Sequence, residues 1–269
     1  MITSNNNAKV KQVVQWQTKA KERRKDHVFL AEGIRMCEEA PVKNVREVYL
    51  TEELEQKIQQ NAQNGDTAFW DKLQQTGYET VSTEVFAKMA DTQTPQGILT
   101  VLEQPVYDLT QLLEQPDPLF LMLENLQDPG NLGTMIRTGE GAGITGVIMN
   151  NQTVDIFNPK TIRATMGSIF RVPFVYVPDL ALVLEQMHAK GIYTYAAHLK
   201  GQEYYDSFSF REPTAFLIGN EGNGLSKEIS DQAGQYLKIP MEGRVESLNA
   251  SIAAALLMYE AHRQRSARL

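Results

Sequence analysis

The sequence is poor in cysteine, in histidine and in long apolar runs. Cys37 is the only cysteine in 269 residues. One thiol builds neither a disulfide framework nor a cysteine-cluster metal site. The four histidines, His27, His188, His198 and His262, are scattered and show no metal-ligand spacing. No apolar run reaches the roughly 18–20 residues that span a bilayer. The opening stretch, Met1 to Asn7, is polar and lacks the apolar core of a signal peptide. These absences lead to the expectation of a cytoplasmic chain with no membrane partner and no bound metal.

Excess positive charge is lacking too. The net charge is −7, which by itself argues against a nucleic-acid partner. The charge is unevenly spread, however. Residues 1–46 hold ten Lys/Arg and five Asp/Glu, a local excess of +5, so the rest of the chain carries −12. Affinity for phosphate follows a local patch and not the total. A solvated helix face accounts for such a run equally well when nothing else points to RNA.

What is present is a 42% hydrophobic chain, enough for one large domain or two ordinary ones. The first hundred residues alternate short strand and helix patterns. Helices are predicted at 7–22, 33–39, 52–63, 69–76 and 84–90, and strands at 28–30, 45–50, 78–81 and 98–102. Pro105 to Pro118 holds three prolines and reads as a connector with one helical turn at 109–114. From Leu119 onward, strands are predicted at 119–123, 146–149, 174–177, 192–196, 215–218 and 237–239. Helices fall between or after them at 131–142, 159–169, 181–190, 227–233 and 248–264. Apolar strands separated by helices imply an α/β fold: a mostly parallel sheet with helices on both faces, preceded by a smaller mixed α/β domain. The expected boundaries are 1–104, a linker at 105–118, and 119–269.

Gly141-Ala-Gly-Ile-Thr-Gly146 matches the glycine fingerprint of dinucleotide-binding proteins. That fingerprint must follow a strand and open a helix, so that pyrophosphate meets the helix N-terminus. Here a helix precedes it and a strand follows. A helix cap and a tight turn explain these glycines better.

Three other segments carry more chemistry. They are Asn125-Leu-Gln-Asp-Pro-Gly-Asn-Leu-Gly-Thr-Met-Ile-Arg137, Leu217-Ile-Gly-Asn-Glu-Gly-Asn-Gly-Leu-Ser226, and the run from Ile239 to Ala255. Each follows a strand-like stretch. Read locally, the first is a turn with Asn131 capping a helix that carries Arg137. The second is a glycine-rich loop, and the third is a strand exit at Pro240 with Ser247 capping the last helix. In this order, the three resemble the motifs of SpoU-type (TrmH-like) RNA 2′-O-ribose methyltransferases of the SPOUT superfamily. Phe29-Leu-Ala-Glu-Gly-Ile-Arg35 and Thr94-Pro-Gln-Gly-Ile-Leu99 resemble, more loosely, the substrate-binding domain that precedes many SpoU catalytic domains.

The resemblance implies S-adenosylmethionine as cofactor, RNA (ribosomal RNA above all) as substrate, a homodimer, and a C-terminal trefoil knot that pattern reasoning does not supply. It assigns Arg137, Asn131, Glu221, Ser247 and Asn249 to the catalytic set. It assigns Gly219, Ile218, Ile239, Met241 and Leu248 to the cofactor pocket. A ribose hydroxyl is a poor nucleophile because it stays protonated at neutral pH. Arginine suits the tasks of holding the neighbouring phosphate and stabilising a developing oxyanion. Its pKa above about 12 makes it a poor general base. Methyl transfer from a sulfonium needs no Lewis acid, which fits the absence of a metal set. The rival readings are a transfer-RNA enzyme, a homologue that binds RNA without turnover, and a nucleotide-dependent Rossmann enzyme. His198, next to the strand predicted at 192–196, reads first as an ordinary scattered histidine, with approach to the cofactor cleft as the lesser alternative. Arg263, Arg265 and Arg268 close the chain with positive charge suited to a helix C-terminus.

Overall fold

Short apolar strands with alternating faces organise the N-terminal part of the computed structural model, which describes residues 1–266. Its elements are α1 (Ala8–Thr18), α2 (Ala20–Asp26), β1 (Val28–Glu32), α3 (Ile34–Glu39), β2 (Val45–Thr51), α4 (Glu52–Gln63), α5 (Ala68–Thr76), β3 (Glu79–Val81), α6 (Thr83–Met89) and β4 (Ile98–Glu103). The sheet order is β1-β4-β2-β3. β4 runs antiparallel to both β1 and β2, whereas β2 and β3 are parallel, so this sheet is mixed. Successive residues of a strand point to opposite faces. Tyr49 and Leu99 accordingly pack with Val13, Trp16 and Phe86 of α1 and α6, while Leu50 and Ile98 pack with Leu54, Ile58 and Leu73 of α4 and α5.

The single helix predicted at 7–22 is two. Lys19 is extended, and the buried Arg23 of α2 turns back to donate to the carbonyls of Trp16 (2.7 Å) and Gln17 (3.3 Å). A guanidinium thereby satisfies carbonyls that the end of α1 leaves without helical partners. Helical periodicity does not reveal such a break.

The rest of the chain continues with α7 (Leu109–Leu113), β5 (Leu119–Leu123), α8 (Pro129–Ala142) and β6 (Gly146–Asn150). Next come α9 (Pro159–Thr165) and a 3-10 turn at Ser168–Phe170, which belong by their contacts to the N-terminal unit. Phe157 and Phe170 lie 5.0 and 6.2 Å from the Phe29 ring, and Arg163 is paired with Asp91. In sequence this stretch falls inside the region expected to be the second domain. The helix predicted at 159–169 stops early because Met166 and Gly167 both adopt positive φ, +50° and +96°. The remaining elements are β7 (Phe174–Val177), α10 (Leu180–Ala189), β8 (Tyr193–Ala197), β9 (Thr214–Ile218), α11 (Lys227–Gln232), β10 (Gln235–Leu237) and α12 (Ala250–Ser266).

These strands form a six-stranded sheet of order β10-β8-β9-β5-β6-β7, and every neighbouring pair is parallel. β5, β6 and β9 are buried along their whole length. Strands covered on both faces lose the polar alternation of half-exposed ones, and their sequences are accordingly nearly continuous apolar runs. Gly143, at φ +75°, caps α8, and β6 follows at Gly146. The false dinucleotide fingerprint is therefore a helix stop and a turn.

Candidate active site

In a parallel sheet, ligands bind beyond the carboxyl ends of the strands. Here the loops after β5, β8, β9 and β10 converge at those ends. The loop after β9 is the tightest. Gly219 is buried, and a Cβ on it would lie 2.0 Å from the carbonyl carbon of Gly224 and 2.1 Å from the nitrogen of Leu225. Glycine is required there for close backbone approach. Asn220 and Gly224 exchange backbone hydrogen bonds of 3.0 and 2.9 Å, which closes the loop on itself.

Beside this loop lies a cleft of 250 Å³. Its walls include Ile218, Gly219, Leu237, Ile239, Met241, Ser247 and Leu248, so every expected cofactor residue lines one cavity. His198 joins them from the loop after β8. Its ring stacks on Tyr236 at 5.0 Å, and its Nδ1 accepts from the Lys200 amide at 3.0 Å. Partial burial, helped by nearby Lys200, pushes its pKa down and favours the neutral ring.

The polar residues meet at the rim. Glu221 accepts from the backbone of Gln127 (3.0 Å) and Asp128 (2.9 Å), and from the side-chain amide of Asn131 (3.1 Å). Burial alone would push the Glu221 carboxyl up; these three donors outweigh it and hold the group below its ordinary range. The Asn249 amide donates to Asn131 Oδ1 at 2.9 Å. A chain of hydrogen bonds thus joins the second motif to the first and the first to the third. Arg137 lies on the same helix as Asn131, is exposed, and has no hydrogen bond or ion pair to any described residue.

Two capping expectations are corrected. Asn131 does not cap α8; Asp128 does, its side chain accepting from the Asn131 amide (2.8 Å), with Pro129 at the first helical position. Proline is favoured there because it has no N–H to leave unpaired. The Asn131 side chain is thereby free for Glu221 and Asn249. Likewise Ser247 does not cap the last helix, which starts two residues later than predicted. Asn249 Oδ1 accepts from the amides of Ser251 and Ile252 and from the Ser251 hydroxyl. The final strand also comes earlier than predicted, at Gln235–Leu237, so Ile239 lies in the loop beyond it and reaches the cleft from there.

Sequence profiles match the chain in two places. The SpoU rRNA Methylase family profile covers residues 118–259, and the profile of the MRM3-like substrate binding domain covers residues 7–100. The chain belongs to the SpoU rRNA methylase family. Among SpoU relatives, the 23S rRNA (guanosine(2553)-2′-O)-methyltransferase RlmP of Bacillus subtilis (strain 168) is 34% identical over 261 residues, 96% of this chain and 97% of the relative. The AdoMet-bound rRNA methyltransferase of Sinorhizobium meliloti superposes with a TM-score of 0.84 at 30% identity, covering 97% of each chain. The SpoU methyltransferase AviRb of Streptomyces viridochromogenes, in complex with AdoMet, gives 0.82 at 28% identity, over 97% of this chain and 99% of its own.

Several residues at the SpoU site escaped the sequence reading. Asn125, Gln127, Asn150 and Asn220 form a hydrogen-bond network: the Gln127 and Asn220 side-chain amides both donate to the Asn125 carbonyl, and Asn125 pairs with Asn150. The available signal was position: Asn150 ends β6, and Asn125 and Asn220 lie within two residues of the ends of β5 and β9. Among the described residues, no group of three His, Cys, Asp or Glu could hold a metal ion.

Proposed function

We propose that this protein transfers the methyl group of S-adenosylmethionine to a ribose 2′-hydroxyl of RNA, with ribosomal RNA as the substrate class. The observation that carries this reading is the convergence of three motifs on one rim. Glu221, Asn131 and Asn249 are hydrogen-bonded in series beside a cleft lined by Gly219, Ile239 and Leu248. The cleft fits such a cofactor: apolar walls suit the adenine, and the tight Gly219 loop offers backbone groups at close range. When bound, S-adenosylmethionine supplies an electrophilic methyl group on a sulfonium. Arg137 then holds the RNA phosphate next to the reacting ribose and stabilises charge building on the 2′-oxygen. Asn131 and Glu221 fix the start of α8, and with it the direction of Arg137. Ser247 and Asn249 orient polar groups at the cofactor's edge. Holding the hydroxyl in line with the methyl group can supply up to roughly 7–11 kcal/mol of the barrier.

Residues 1–104 present the RNA in this reading, 105–118 connect, and 119–269 carry the reaction. The separate profile matches to 7–100 and 118–259 support that division. The SpoU resemblance also brings a C-terminal trefoil knot. Its support is that the chain, after β10 at the sheet edge, returns as α12 to pack on α8 and β9. Ile252, Leu256 and Tyr259 leave an exposed groove on α12, which supports a homodimer in which that face is covered by a second copy. An RNA substrate fits a cytoplasmic setting.

The deciding experiment is calorimetric titration with S-adenosylmethionine, S-adenosylhomocysteine and, as control, NAD. It is followed by mapping of 2′-O-methyl sites in ribosomal and transfer RNA. Binding of the first two with methylation of ribosomal RNA is expected. Methylation of transfer RNA alone would move the substrate, and no binding by folded protein would leave an RNA-binding homologue.

A further inference from the structure

Asn220 and Glu221 are adjacent in the loop that walls the cleft, and both reach across to the first motif. Glu221 holds the amides of residues 127 and 128. Asn220 holds a point further back: its Nδ2 donates to the Asn125 carbonyl at 2.9 Å. At the same time Asn220 Oδ1 accepts from the amides of Gly222 (2.9 Å) and Asn223 (3.0 Å). One carboxamide therefore shapes the glycine loop with its oxygen and ties that loop to the first motif with its nitrogen. Two N–H donors on one side and a carbonyl on the other admit only this orientation of the amide.

The Asn125 end is built to receive it. Asn125 has φ +55°, a left-handed conformation that non-glycine residues adopt at a cost. It is held there by Asn150, whose Oδ1 accepts from the Asn125 amide (3.0 Å) and whose Nδ2 donates to Asn125 Oδ1 (2.8 Å). Thr153 donates to the same Asn150 oxygen at 2.8 Å. Asn150 is nearly buried at 9% exposure, so its amide needs these partners.

The geometry points to Asn220 as a positioning residue: together with the Asn125–Asn150 pair it couples the conformation of the cofactor loop to the segment that starts α8 and carries Asn131 and Arg137. This rests on the methyl-transfer reading for its consequence, though the coupling itself is a property of the fold. The loop reaches the cofactor with its backbone and reaches the first motif with two side chains. Ordering of the loop at one end is transmitted to the reacting groups at the other.

The test is N220D in the full-length protein. Aspartate keeps the oxygen that accepts from Gly222 and Asn223, and it replaces the donor to Asn125 with a second acceptor. The expected result is a dissociation constant for S-adenosylmethionine within about threefold of wild type, with kcat down by about tenfold or more, as expected for misplaced reacting groups. Hydrogen exchange at residues 125–128 should rise in N220D without any ligand. Unchanged kcat and unchanged exchange would overturn the coupling. So would a loss of cofactor binding that matches the loss of turnover, because Asn220 would then only shape the loop. If N220D does not fold, N125G keeps the left-handed backbone, the carbonyl and the amide bond to Asn150 Oδ1 while losing the acceptor for Asn150 Nδ2, which loosens the seat that Asn220 grips, and the same two readouts decide. Wild-type protein that binds no S-adenosylmethionine speaks against the methyl-transfer reading; the exchange arm still decides the coupling.

Discussion

Arg137 is a guanidinium on the surface of α8 with no partner among the described residues, nine residues after the Asp128 cap. Asn131, Glu221 and Asn249, by contrast, are hydrogen-bonded in series. An exposed cation with no partner among the described residues is available to a ligand anion, as the proposed reaction requires. Replacing it with alanine should lower kcat by about 10²–10³, the usual cost of removing one preorganised electrostatic donor. Cofactor affinity should stay unchanged by calorimetry; unchanged turnover would remove Arg137 from the reaction. Glu221 yields a prediction in pH. Its carboxyl is held below its ordinary value by three donors. Such a group stabilises the fold above its unfolded pKa, near about 4.3, and that contribution is lost as pH falls through the lower folded value. The Tm difference between wild type and E221Q should therefore be constant from pH 6 to 8 and shrink below about pH 4. A difference that grows on acidification would contradict the assigned direction. The identities of these residues were legible in the sequence because they match motifs. Their partners were not: Asn131 read equally well as a cap or as a site residue, and only the observed Asp128 cap separates the two.

At the scale of elements, the site depends on strand ends and helix starts. The loop after β9 tolerates no side chain at Gly219, since a Cβ would lie 2.0 Å from the Gly224 backbone. Gly219→Ala should open that loop and weaken S-adenosylmethionine binding by more than about tenfold, as read by calorimetry. Near-normal affinity would mean that the loop relaxes without disturbing the cleft. At the other end of the sheet, Arg265 of α12 donates to the carbonyls of Phe210 (2.8 Å), Asp117 (2.8 Å), Pro118 (3.2 Å) and Glu212 (2.7 Å). The sequence suggested only a charge suited to a helix end. The structure instead makes it a clamp that binds α12 to the lead-ins of β5 and β9. Arg265→Met should cost about 1.5–3 kcal/mol in urea unfolding, the range for hydrogen bonds to a charged group. Lysine should not restore it, because an ammonium cannot reproduce the planar fork. Arg263 is paired with Glu260, and Arg268 lies outside the described residues.

For the whole molecule, charge and exposed apolar surface set the expectations. The +5 excess in residues 1–46 against −12 elsewhere favours phosphate contacts over a limited surface. RNA affinity should fall with salt, at a slope that reflects few contacts. The α12 groove should be covered in solution. Leu256→Asp is expected to convert a dimer into monomers in sedimentation, with loss of turnover if a second copy completes the site. A wild-type monomer would remove the dimer from the proposal.

The strand–helix alternation and the mostly parallel character of the larger sheet were readable from the sequence, because local periodicity and burial on both faces leave a direct mark on composition. So was the family, because three segments resemble its motifs in their order. Among the features that were not readable are the break between α1 and α2, the packing of residues 157–170 with the N-terminal unit, and the amide network joining Asn125, Asn150 and Asn220. Each is decided by a side chain meeting a group distant in sequence or outside the periodic pattern. Arg23 turns back on α1, Phe29 meets Phe157 and Phe170, and Asn220 crosses to Asn125. A buried amide or guanidinium must find its partner wherever the folded chain places one, and only the tertiary structure says where that is.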